Sequence, residues 1–213
     1  GPSMQPYIFG IRNPISVFNL EETKKCLERA MNAIQEVVRK GGTVLFVGTK
    51  PAARSIILDI AEHLRMPYFA ERWVGGTLTN FDAIRGRVQY LERLEQEKAS
   101  GGFKKYNKKE LAQKEKEIER LKRKFEGLRT LTRLPNIVIV ANVQKDYIAI
   151  NEALRCHIPV VAVADSDANI ANIQYPIPSN DDAIPAVRWI IEKIGEAIET
   201  GIRDRSEPTH NSN

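Results

Sequence analysis

Four short stretches of the chain gather residue types that could do chemistry. In the first, Gly48-Thr49-Lys50 ends an apolar run and opens a helical pattern. Free backbone N–H groups and the helix dipole bind phosphate in that setting, so Lys50 and Arg54 are candidates for a single phosphate contact. A plain strand-to-helix turn accounts for the same residues. The glycine-rich span of a nucleotide loop is missing ahead of Gly-Lys, and there is no GxGxxG, which argues against a free nucleotide. In the second stretch, Glu71 to Asn80, Arg72 and an exposed-looking Trp73 stand beside Gly75-Gly76, Thr77 and Thr79. Adjacent glycines let backbone approach a ligand closely, and Arg72 can grip phosphate in bidentate fashion. Trp73 could equally cap the sheet end, and Thr79 or Asn80 should cap the next helix.

The third stretch, Asn180-Asp181-Asp182, could be catalytic or hold a metal, but these residues stand where a helix start favours acids, and capping is the expected role. Asp165-Ser166-Asp167 reads as a polar turn after a strand. The fourth, Gly101 to Lys109, interleaves Lys104, Lys105, Lys108 and Lys109 with Phe103 and Tyr106. That mixture suits phosphate contact plus base or sugar stacking, and equally a solvated hairpin tip. No nucleophile–base pair emerges, and the scattered histidines and cysteines lack metal-ligand spacing. No catalytic residue, metal or cofactor is expected. Cys26 and Cys156 read as small core residues, and two cysteines suit a reducing compartment.

Charge is distributed unevenly. The 213 residues carry a formal net charge of +5, yet Asp82 to Arg129 alone holds 15 Lys+Arg against 9 Asp+Glu. The whole positive excess therefore sits in 48 residues, half of them charged. This marks a separate structural unit. The hydrophobic share, 42%, suits a packed core. No stretch is long and apolar enough to span a membrane, and no signal peptide is evident at the start.

The elements that must position these residues alternate. Thr43–Gly48, Asn136–Ala141 and Pro159–Ala164 are short β-branched runs that predict strands buried on both faces of a parallel sheet. Ile15–Leu20 is a weaker fourth strand; Tyr68–Ala70 and Ile173–Ile177 are edge strands, the latter because of Pro176. Helices are predicted over Glu21–Arg39, Pro51–Leu64, Lys145–Leu154 and Asp182–Thr200, the last closed by Gly201. The polar tail from Arg203 is expected to be disordered. This is an α/β pattern with helices on both sheet faces.

The basic segment breaks that rhythm. Ile84, Val88, Leu91 and Leu94 form one coiled-coil seam; Leu111, Ile118, Leu121, Phe125 and Leu128 form another. Ala99–Gly102 breaks the helix, and Asn107–Glu110 is a capping box. An antiparallel hairpin over 81–129 follows, with its ends close together, projecting from an α/β body formed by 4–80 and 130–201. Seams this narrow should bury only each other, so replacing Phe81–Arg129 with a short linker should leave the body folding cooperatively.

Four motifs in order then carry a specific resemblance. They are Tyr7-Ile8-Phe9-Gly10 with Arg12-Asn13, Leu45 to Lys50 with Ala52-Ala53, Arg72 to Asn80, and Ile177 to Ile184. Together they resemble the bacterial-type small-subunit ribosomal protein S2 family over Met4 to Gly201. The lysine-rich hairpin lies where that family has its protruding coiled coil. The resemblance implies a flavodoxin-like three-layer parallel sheet with an inserted antiparallel coiled-coil hairpin. It implies a structural, non-enzymatic role in translation: binding small-subunit ribosomal RNA and neighbouring ribosomal proteins, including docking of ribosomal protein S1. It also implies a cytoplasmic or organellar ribosome, with no membrane and no small-molecule substrate. The residues this puts on RNA are Lys50, Arg54, Arg72, Trp73, Thr77, Asn80, Arg85, Lys104, Lys105, Lys108 and Lys109. The family usually has a further glycine- and histidine-bearing segment ahead of Tyr7, and Gly1-Pro2-Ser3 reads as a cloning remnant. Pro51 stands where an arginine is common, and Asp165–Asn169 departs from the usual Asp-Pro turn. The competing readings are a nucleotide-binding α/β enzyme and a protein-only coiled-coil adaptor.

Overall fold

The computed structural model describes residues 8–12 and 15–206. Tyr7, Asn13, the Gly1–Ser3 stretch expected to be a cloning remnant and the tail from Glu207 lie outside the described residues. The first two strands, β1 (Ile8–Arg12) and β2 (Ile15–Phe18), pair with each other in a small antiparallel sheet. Ile15–Leu20 is thus no strand of the main sheet: its Ile15–Phe18 part pairs only with β1, its neighbour in sequence.

Helix α1 (Leu20–Arg39) starts where the Asn19 side chain accepts the N–H groups of Glu21 and Glu22. Then follow β3 (Val44–Val47), α2 (Pro51–Leu64) and β4 (Tyr68–Phe69). The basic segment forms α3 (Phe81–Ala99) and α4 (Lys108–Phe125), with a short 3-10 turn at Gly102–Lys105 between them. β5 (Ile137–Val140), α5 (Tyr147–Arg155), β6 (Val160–Ala164), β7 (Tyr175–Pro178) and α6 (Ile184–Ser206) complete the described chain.

Five strands form one parallel sheet in the order β4-β3-β5-β6-β7. This is the expected α/β layering, and successive side chains alternate between its faces. Val44, Phe46, Ile137, Ile139, Val161 and Val163 face a core shared with α1, α2 and α6. Leu45, Val47, Val138, Val140, Val160 and Ala162 face a second core shared with α5, α3 and α4. Burial on both faces explains why the strands read as unbroken apolar runs.

Two expectations give way. Helix α6 runs through Gly201 to Ser206, because Gly201 is a contact point and not a stop. A Cβ there would lie 2.8 Å from the Gln35 carbonyl and 2.8 Å from the Val38 side chain on α1. The seam of α3 and α4 is also shared. Ile84, Val88, Leu121, Phe125 and Leu128 belong to the same buried cluster as Phe69, Trp73 and the second sheet face. The two helices do run antiparallel, with Lys98 on Glu115 at 3.0 Å and Glu95 on Lys122 at 3.3 Å. Their ends meet near Arg85, whose guanidinium lies 3.5 Å from the Arg129 carbonyl. The capping box is complete: the Asn107 side chain accepts from the Glu110 N–H and the Glu110 carboxylate from the Asn107 N–H.

Candidate nucleic-acid interface

In a parallel α/β sheet, ligands bind beyond the C-terminal ends of the strands, where the strand order reverses. That point lies between β3 and β5, since the chain leaves β3 toward β4 and returns on the other side at β5. Side chains of this protein fill it. The Thr49 hydroxyl donates to Asp146 at 2.5 Å, and its backbone N–H points to the same carboxylate. Lys50 reaches Asp181 at 3.0 Å and Asp182 at 2.5 Å, and the Asn142 amide donates to Asp181. Burial pushes the Asp146 and Asp181 carboxyls up, against the bonds from Thr49 and Lys50. Burial works against the Lys50 charge, but Asp182 and Asp181 outweigh it and hold the ammonium above its usual range. Gly48 serves packing: a Cβ there would come 2.6 Å from the Ile57 side chain on α2.

Lys50, expected as a phosphate contact, is part-exposed and already paired with two carboxylates. The acids are not caps. The cap-like bond at this corner is made by Asn180, whose side chain accepts the Asp182 N–H. Asp165, Asp181 and Asp182 stand close enough to share a cation, but the Lys50 ammonium already lies against two of them. Asp165 closes its own turn, accepting from the Ser166 N–H through its side chain and the Ala168 N–H through its carbonyl.

The loop after β4 is organised by a residue that sequence reasoning missed. Glu152, buried on α5, receives the indole N–H of Trp73 at 3.1 Å and the backbone N–H groups of Gly76, Leu78 and Thr79 at 2.8, 2.9 and 3.3 Å. The Thr79 hydroxyl adds a fifth contact. Trp73 is thus buried against Phe69, with ring centroids 4.9 Å apart, and is no stacking platform for a base. Thr77 is fully buried and bonded to the Val74 carbonyl, so it too leaves the candidate surface. Asn80 takes the cap position of α3 but makes no side-chain cap bond. Its amide stays exposed. Glu152 was findable only as an acid set among Ala149 and Ala153 on the apolar stripe of α5.

Arg72 is exposed on this loop and has no carboxylate at ion-pair distance among the described residues. Arg54, on α2, donates to the Ala70 carbonyl at 2.8 Å and lies 3.6 Å from Glu71, the residue before Arg72. The tip lysines are a helix length away, about 28 Å for nineteen residues at the usual rise. Phe103 is buried under the tip, edge-on to Tyr106, and cannot stack on a base. Lys105 pairs with Glu97, whose carboxyl is held low by bonds from Lys105 and Tyr106. Lys104, Lys108 and Lys109 remain exposed. The structure thus separates the candidate cations into a loop site and a tip site, with the cationic faces of α3 and α4 between them.

Comparison with known proteins bears on this geometry. The family model for ribosomal protein S2 matches residues 1–201. The small ribosomal subunit protein uS2 of Dehalococcoides mccartyi is 43% identical over 197 residues, 92% of this chain and 80% of that protein. Those of Dichelobacter nodosus and Amoebophilus asiaticus are 41% and 40% identical, over 93% and 97% of this chain and 74% and 66% of theirs.

Proposed function

The chain belongs to the ribosomal protein S2 family, and from that premise we propose that it grips small-subunit ribosomal RNA through the cations of α3, α4 and the Arg72 loop. Members of this family are structural parts of the small ribosomal subunit, not enzymes, and the filled switch point between β3 and β5 agrees with that role. The observation that carries the RNA reading is the confinement of the positive excess to residues 82–129. Several of its cations, Arg87, Arg123, Lys124, Lys104, Lys108 and Lys109 among them, have no carboxylate at ion-pair distance among the described residues. Neighbouring ribosomal proteins, ribosomal protein S1 included, are the other partners. The exposed Tyr147 and Ile148 on α5 and Trp189 on α6 offer apolar surface to them.

Binding of this kind is dominated by counterion release. The logarithm of affinity should fall linearly with the logarithm of salt, with a slope of about −0.9 per duplex phosphate contact and about −0.7 on single strands. Filter binding to small-subunit ribosomal RNA across a salt series measures it. Arg72→Ala should lose about 1–3 kcal/mol, the range for a charged hydrogen bond. A single change at Lys104, Lys108 or Lys109 should cost less, because a mobile ammonium at a helix tip is easily replaced by its neighbours. Lys50→Ala should leave affinity almost unchanged, since its charge is spent on Asp181 and Asp182. A flat salt response, or full binding by Arg72→Ala alongside loss of binding from one tip substitution, would count against this assignment.

A further inference from the structure

The Arg72 loop and the base of the helix pair enclose a cleft that none of the motifs read from the sequence identifies. It holds about 200 Å³ between the 74–80 loop, α3 and α4. Val74 and Ile84 line its apolar interior. Arg87, Arg120 and Lys124 stand around it from the two helices. Gly75 lies on its loop side, exposed, and nothing lies within 4 Å of where its Cβ would be. Asn80 adds a side-chain amide that caps nothing and has no partner among the described residues. Glu117 bonds Arg120 at 2.7 and 3.0 Å and feels the charges of Arg87 and Lys124. Arg87 and Lys124 themselves have no carboxylate at ion-pair distance among the described residues.

We propose that this cleft takes one unpaired nucleotide of the RNA, its base against the apolar wall beside the Asn80 amide and its phosphates against Arg87, Arg120 and Lys124. The proposal rests on the RNA-binding reading above and adds the place and the kind of nucleotide. Size supports a single base: small-molecule pockets usually hold roughly 300–1,000 Å³, so one ring system fits while sugar and phosphates stay at the rim. Chemistry supports it too. An apolar wall with one amide and a cationic rim matches a flat heterocycle on a phosphodiester chain. RNA is read most readily where bases are unpaired and can be splayed out. A duplex keeps its bases stacked and could touch only the rim.

The test uses the full chain and two RNA hairpins of equal length, one fully paired and one carrying a single bulged 2-aminopurine. The wild type should bind the bulged hairpin about tenfold more tightly, the scale of one base packed against a protein surface, and the 2-aminopurine emission should change on binding. Gly75→Leu fills the cleft without altering charge and should abolish that preference while leaving paired-hairpin affinity intact. Arg87→Ala and Lys124→Ala should weaken both RNAs. Gly86→Ala, on the same helix with open space around it, is the control that should change neither. If Gly75→Leu lowers the melting temperature, Ala83→Leu obstructs the same cleft from α3 and should give the same loss. Equal wild-type affinity for both hairpins, or a preference that survives both filling variants, overturns the proposal and leaves the RNA reading standing. If polyglutamate binds the wild type, and the filling variants lose that binding while keeping the preference for the bulged hairpin, the cleft is a protein-docking site and the proposal is overturned. Binding of neither hairpin at any salt would take the RNA reading down with it.

Discussion

Replacing Glu152 with alanine should cost about 1–3 kcal/mol for each buried donor left without an acceptor, and should loosen the loop from Trp73 to Thr79 before the sheet opens. The reason is the number of groups that depend on one carboxylate. Three backbone N–H groups, an indole N–H and a hydroxyl point at it, and burial leaves the Trp73 and Leu78 donors little access to water as a substitute. Glu152→Gln keeps one carbonyl acceptor and should fall between wild type and alanine. Denaturant midpoints give the magnitude, and hydrogen exchange at the Leu78 amide gives the location. If that amide stays protected in the alanine variant, something other than Glu152 holds the loop.

The same site sets a pH dependence. Burial works to raise the Glu152 carboxyl, but the N–H of Leu78, the Trp73 indole and the other donors outweigh it and hold the group below its usual range. A carboxyl held low in the fold stays ionised while the unfolded chain already binds a proton. Its stabilisation is therefore complete above the ordinary glutamate value, about 4.3, and is lost as pH falls through the folded value. Glu152→Gln should flatten the acid limb of the stability curve.

The layered sheet was legible because parallel strands carry their signature in composition: Val44–Val47, Ile137–Val140 and Val160–Ala164 are buried on both faces and β-branched. The helix pair was legible from its seams and from the Asn107–Glu110 box. What was not legible depends on partners distant in sequence. Gly201 looks like a helix end until α1 is known to press against it. Trp73 looks exposed in a glycine-rich loop until Glu152, 79 residues away, is seen to hold its indole. Lys50 looks like a phosphate ligand until Asp181, 131 residues away, is seen to take its charge. Residue type and spacing give local geometry and leave open which opposite charge the fold will bring to meet a given side chain.

The extent of the helix pair's contribution is the other large expected effect, and two deletions separate its parts. Replacing residues 97–116 with a short Gly-Ser turn removes Phe103, Tyr106 and the tip lysines but keeps Glu95 between Lys122 and Arg129. It also keeps Leu94 and Ile118, buried members of the shared core. That protein should unfold cooperatively with a modest loss. Replacing 81–129 is a different operation. It takes away Ile84, Val88, Leu121, Phe125 and Leu128, which share one buried cluster with Leu45, Val47, Phe69 and Val138 of the sheet. It also removes Gly127, which packs so close to β4 that a Cβ there would overlap the Tyr68 carbonyl at 2.2 Å. Each large apolar side chain returned to water costs about 1.5–3 kcal/mol. Four of them approach the whole stability of an ordinary domain, about 5–15 kcal/mol. The longer deletion should therefore give a product that binds hydrophobic dye and melts without a sharp transition. Calorimetry of both proteins decides the matter. A sharp transition in the 81–129 deletion would mean that the sheet face closes over without the helix base, and that the pair is an appendage in energy as well as in sequence.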